Sequence, residues 1–185
     1  MDDMLKLDFT GISPDDAEGF ELIPVGTYVA KVIEFRKTKS KKTGAPMFET
    51  DFEITDGQYA ARRLRYWSPI MDDKPFTKAN FLLLLKSLGV LLESDQGPNG
   101  ELSVEMDLGV MDDFGKQDVR AVIINGATRK MIGKYGKIVV ENRKYKNPET
   151  QQEVETSSIK KVESADSSAQ SSAKPTTTTR TPSIF

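Results

Sequence analysis

Apolar and polar residues trade places along this chain in different rhythms, and each rhythm predicts a different element. In "MFETDFEIT" (Met47–Thr55) the period is two. Phe48, Phe52 and Ile54 fall on one face and Glu49, Asp51 and Glu53 on the other, which predicts a half-buried strand. "RRLRYWSP" (Arg62–Pro69) repeats the rhythm: Leu64 and Tyr66 point one way, Arg63, Arg65 and Trp67 the other. "GTYVAKVIEFRKTK" (Gly26–Lys39) reads as a longer strand. The turn-forming "SKKTGAP" and the Asp56–Gly57 pair separate the three into a meander. The rhythm changes in "PFTKANFLLLLKSLGV", where Phe81, Leu84, Leu85 and Leu88 recur at helical spacing. Thr77 stands at a suitable N-cap and Gly89 just past the end. The acidic residues 93–113 read as a loop or hairpin insertion. "DVRAVIING" (Asp118–Gly126) and "KIVVENRKY" (Lys137–Tyr145) predict two more strands, joined by the basic linker "ATRKMIGKYG".

The resulting order, β-β-β-α-β-β, is that of an OB-fold: a mainly β, five-stranded, partly open barrel with one helix between the third and fourth strands. An SH3-like barrel or an α+β sandwich also accommodates the pattern, though neither calls for a helix at that point. The predicted domain spans residues 22–162. Residues 1–21 form an acidic arm with apolar anchors at Leu5, Leu7, Phe9 and Ile12. Residues 163–185, rich in Ser, Thr and Ala, cannot bury enough surface to offset their ordering entropy and are expected to be disordered.

Composition removes several classes of chemistry. The 185 residues include no cysteine and no histidine, which excludes disulfides, thiol catalysis, a Ser-His-Asp triad and His or Cys metal sites. The expectation is a non-enzyme without cofactor or metal. No apolar run is long enough for a membrane helix, and the acidic start is wrong for a signal peptide, so a cytoplasmic location is expected.

Charge changes the picture more. The net charge is −2, yet residues 26–86 hold twelve bases against seven acids, and residues 116–147 nine against two. Between them, residues 87–115 carry seven acids and no base. In an OB-fold, ligand contacts come from the second and third strands and from the loops after the first and fourth. The first loop and its approach hold Lys37, Lys39, Lys41 and Lys42; the later one holds Arg129, Lys130, Lys134, Tyr135 and Lys137. With Arg63, Arg65 and Trp67 on the third strand, and Tyr145 further on, the two basic blocks are expected to meet around one groove. The acidic block is expected elsewhere. Cations that track phosphates and rings that stack on bases suit single-stranded nucleic acid, with little dependence on sequence. Five neutralised phosphates would give a slope of about −3.5 in log K against log salt.

Plainer readings exist for each part. Trp67 could cap the barrel core, and the lysine-rich turn could be an ordinary solvated tip; the coincidence of three fold-appropriate positions favours the groove. Asp72–Asp73 and Asp112–Asp113 offer Mg²⁺ only weakly, because neighbouring side chains on a strand point apart. "GATRKMIGK" places six residues between its glycines where a phosphate loop requires four. A protein-interaction or virion structural module is one alternative, and a Mg²⁺-dependent nuclease using Asp72 and Asp73 another.

Pro24, Gly26, Tyr28, Lys42, Gly44, Pro46, Phe52, Ile54, Asp56, Gly57, Tyr59 and Arg62 follow the pattern P-x-G-x-Y, K-x-G-x-P, F-x-I-x-D-G-x-Y-x-G-R, with Ala61 where the pattern has glycine. On these residues the chain resembles a family of phage-encoded single-stranded DNA-binding proteins, long known only as a domain of unknown function. The likeness extends over about residues 22–162. It implies an OB-fold accessory of DNA replication or recombination that coats exposed strands. The closing "TPSIF", with Ile184 and Phe185 terminal, is similar to the hydrophobic tips by which bacterial single-strand binding proteins recruit partner enzymes, but lacks their acidic run.

Overall fold

The computed structural model describes residues 22–165, except 42, 72, 98–99 and 147–150. The described elements are β1 (Gly26–Lys39), β2 (Pro46–Ile54), β3 (Arg63–Pro69), α1 (Pro75–Ser87), β4 (Val104–Met111), β5 (Gln117–Ile124), β6 (Ala127–Arg129), β7 (Tyr135–Lys146) and β8 (Glu153–Ser164). All eight strands join one antiparallel sheet, and α1 is the one α-helix among the described residues. The meander β1–β2–β3 forms as expected, with Phe52 opposite Leu64 and Asp51 opposite Arg65.

β1 organises the rest. One of its edges pairs with β2. The other is shared: Gly26–Lys31 pair with β7, while Arg36 and Lys37 pair with β5. The register slips at Ile33, between Val32 and Glu34, and this bulge restores the inward aim of the strand. Before it Ala30 and Val32 are buried; after it Phe35 is. Strict alternation would have put Glu34 in the core.

The core is the inner face of this bent sheet, closed at one end by α1. Phe81 of α1 stacks on Phe48 at 4.8 Å between ring centroids, and Phe48 on Phe35 at 5.4 Å. Leu84, Leu85 and Leu88 complete the helix's buried face. Truncating Phe81 in such a site costs about 3–5 kcal/mol. Thr77 does not cap the helix. Pro75 opens it after Lys74, and the Thr77 hydroxyl, one turn in and buried, donates to Lys74 O (2.8 Å) and accepts from Met71 N–H (3.0 Å). At the other end Gly89 takes the left-handed conformation (φ 63°). Val90 N–H bonds Leu85 O at 2.8 Å and Gly89 N–H bonds Lys86 O at 3.0 Å, so the last turn is satisfied from outside.

In place of the expected five-stranded, partly open barrel stands an open eight-stranded sheet: β3 pairs with β2 alone and no strand joins its other edge among the described residues. Three strands were missed. β4 does alternate, with Val104, Met106 and Leu108 against Glu105 and Asp107, but its acidity reads as loop. β6 follows a two-residue turn at Asn125–Gly126, both with positive φ (46° and 82°), the hairpin geometry that suits this pair. β8 carries its buried residues, Ile159 and Val162, on either side of a register shift that hides their period. The acidic arm and the C-terminal segment beyond residue 165, including Ile184 and Phe185, lie outside the described residues. No described helix is long and apolar enough to cross a membrane.

Candidate nucleic-acid interface

The outer face of β1–β2–β3 is built in cross-strand rows. Register places Arg63 opposite Glu53 and Glu53 opposite Lys31, and Lys31 is in turn opposite Tyr135 of β7. The next row is Arg65, Asp51 and Glu34, and the next Trp67, Glu49 and Arg36. Each acid of β2 thus stands beside a base: Glu53 between Arg63 and Lys31, Asp51 beside Arg65, and Glu49 beside Arg36. Arg65 makes a two-pronged contact with Asp51, Nε–Oδ1 at 2.5 Å and Nη2–Oδ2 at 2.7 Å, which holds its guanidinium further toward the charged form. Arg36 bonds Glu34 at 2.7 Å and Asp51 at 3.3 Å. Glu49, only 6% exposed, accepts from Lys116 Nζ at 2.9 Å. A buried carboxylate is tolerable only with such partners.

Lys116 belongs to the tip between β4 and β5, and its bond to Glu49 latches that tip over the sheet. Asp112 shapes the tip: its Oδ1 accepts from Phe114 N–H (2.9 Å) and Lys116 N–H (2.8 Å). Between the tip, the β1–β2 turn and the sheet runs a groove of about 1080 Å³. Its walls carry Trp67, Phe114, Met111, Lys39 and Lys41. Trp67 is 50% exposed and Phe114 88%, so neither ring serves the core. Lys39 and Lys41 make no ion pair with any described residue.

The structure gathers the expected residues only in part. Lys39, Lys41, Arg65 and Trp67 line the groove, and Arg63 lines a second cleft on the far side of Trp67. Arg65, committed to Asp51, is less available than its exposure suggests. Lys37 points to the opposite face of β1 from Arg36, opposite Phe48. Lys42 lies outside the described residues. Of the second basic block, Lys116 reaches the groove, committed to Glu49, while Arg129, Lys130, Lys134 and Lys137 do not line it. Arg129 gives its terminal nitrogens to Asp95 and to Val90 O (2.6 Å), fastening β6 to the segment after α1. Arg129 and Leu92 N–H together hold the Asp95 carboxyl down at about 2. Lys130 and Lys134 flank the buried Met131, and Lys134 O accepts from Val32 N–H at 2.8 Å beside the bulge. Tyr135 and Lys137 share the outer face by register, opposite Lys31 and Val29. Tyr135 stands at the far end of Arg63's row, three strand spacings or about 14 Å along the sheet. Tyr145 sits where β7 pairs only with β8, beyond the start of β1.

The acidic block was expected away from the groove, and its end instead forms one wall. Phe114 was therefore missed. Its only sequence signal was a lone aromatic in the turn "MDDFGK" between two apolar alternations. Asp112 is spent on the tip's backbone, Asp72 lies outside the described residues, and among those residues no group of three acids is placed to hold a metal ion.

Five of the twelve motif residues, Pro24, Tyr28, Asp56, Gly57 and Tyr59, gather elsewhere, at a corner where β1 enters. The Tyr28 hydroxyl donates to Pro24 O at 2.9 Å, and the Tyr28 ring meets Tyr59 edge-on at 6.0 Å. The chain matches a family model described as "Protein of unknown function (DUF669)" over residues 12–83, which takes in this corner, β1, β2, β3 and most of α1. No curated protein matches the chain.

Proposed function

We propose that this protein binds single-stranded DNA, with little sequence preference, in the groove over β1–β2–β3. The observation that carries the reading is the pair of solvent-facing rings, Trp67 and Phe114, on opposite walls of a groove whose lip holds the uncommitted Lys39 and Lys41. Bases stack on the rings and phosphates meet the lysines. Duplex DNA, whose bases are already stacked, gains nothing from the rings. The element order supports an opened-out relative of the OB barrel, in which β5 and β7 stand for the fourth and fifth strands. The resemblance to phage single-strand binding proteins supports a role in replication or recombination, with no catalytic step.

Trp67 is the one tryptophan, so its fluorescence reports directly. Titration with oligo-dT is expected to quench it, and duplex DNA to compete poorly. Because Arg65 and Arg129 are engaged within the fold, about three cations (Lys39, Lys41 and Arg63) remain for phosphates, giving a slope of about −2 in log K against log salt. No quenching and no gel shift at about 50 mM salt would sink the reading. Capture of a protein in a salt-insensitive complex through the same face would favour the interaction-module alternative.

A further inference from the structure

The cleft on the far side of Trp67 is a second feature of the same edge. It has a volume of about 650 Å³ and lies between β3 and β8, with Leu22, Ile23, Arg63, Leu64 and Trp67 among its walls. Its floor is an open strand edge. Bonds from Ile54 N–H to Arg62 O (3.0 Å) and from Ile70 N–H to Pro46 O (2.8 Å) set the phase of the β2–β3 ladder. In that phase the main-chain groups of Arg63, Arg65 and Trp67 point away from β2, into the cleft. No strand pairs with them among the described residues. The Arg63 side chain is 65% exposed and lies 3.5 Å from the Glu53 carboxylate.

The described chain begins inside this cleft. Ile23 is pinned there by Ser157, whose Oγ accepts from Ile23 N–H at 2.9 Å and donates to Ile23 O at 3.2 Å. Leu22, to which the N-terminal segment is joined, therefore lies at the open edge. The sequence of residues 1–21 suits it: seven acids against one base, and the alternation Leu5, Leu7, Phe9 against Lys6 and Asp8. Alternation supplies an apolar face for the cleft and main-chain partners for β3.

We propose that residues 1–21 dock along the open edge of β3 as an internal acidic occupant, covering Trp67 and competing with the nucleic acid. The competition rests on the single-strand reading above; the docking does not. Trp67 lines both the groove and the cleft, so one ring reports on both. Two full-length variants test the proposal: Leu5→Ser/Leu7→Ser/Phe9→Ser, which removes the apolar face, and Asp2→Asn/Asp3→Asn/Asp8→Asn, which removes charge. Neither alters a described core residue. Without DNA, the first variant is expected to red-shift Trp67 emission and raise its quenching by acrylamide. Both are expected to bind oligo-dT more tightly; an arm docked about nine-tenths of the time weakens apparent affinity about tenfold. Unchanged emission and quenching would overturn the docking. A shift that depends on protein concentration would assign the edge to a second copy instead, and also overturn it. A red shift with unchanged oligo-dT affinity would overturn the competition. A red shift in a protein that never binds oligo-dT would remove the single-strand reading and leave the docking.

Discussion

Ala61 sits with φ of 65°, a left-handed conformation that costs an alanine about 1 kcal/mol. The pattern that this stretch resembles has glycine at this position, and the backbone gives a reason: Ala61 N–H must reach Ile54 O (2.9 Å) to close the β2–β3 turn. Ala61→Gly is expected to raise stability by roughly 0.5–1 kcal/mol in urea denaturation, since relief of strain exceeds the added chain entropy. Asp95 provides a test by pH. Its folded value of about 2 lies below the unfolded value near 4, so its contribution is present above pH of about 4 and lost as pH falls toward 2. Asp95→Asn is expected to melt earlier than the parent at pH 7, with the gap closing below pH of about 2. A gap that is constant with pH would contradict the ion pair with Arg129.

Elements explain why the two arginines of β3 behave differently from a simple basic strip. Alternation alone separates Arg63, Arg65 and Trp67 from Leu64 and Tyr66, and the structure keeps that division. What alternation cannot supply is the partner across the ladder. Asp51 meets Arg65 because the β2–β3 register pairs them, and register is set by turn geometry. The tip between β4 and β5 was illegible for a related reason: its acids look like solvated loop until Asp112 is seen bonding to the backbone. Phe114, held out by that turn, is solvent-facing, and the proposed groove uses it for binding rather than for packing. Phe114→Ala is expected to weaken oligo-dT binding by about 1–3 kcal/mol, read from the titration midpoint, with an unchanged melting curve. A lowered melting temperature would place the ring in the fold instead.

At the scale of the molecule, the meander, the helix and two later strands were readable because each follows one period. The open architecture was not, because it depends on how β1 divides an edge between β5 and β7, which the bulge at Ile33 permits and no local pattern encodes. That division makes β1 the single member on which β2, β5 and β7 all depend for their alignment. Loss of β1 therefore dissolves three pairings together and leaves only separate β2–β3, β4–β5–β6 and β7–β8 pieces, and small pieces of this kind are marginal in water. The amides of Ala30, Val32 and Phe35 are accordingly expected to exchange with deuterium only through complete unfolding, with protection equal to the global stability and rising one-for-one with it. The amides of β6, a three-residue strand whose ladder is with β5 alone, should exchange by local opening and ignore such changes. Faster exchange at Val32 than the global limit would show that the sheet comes apart in two steps.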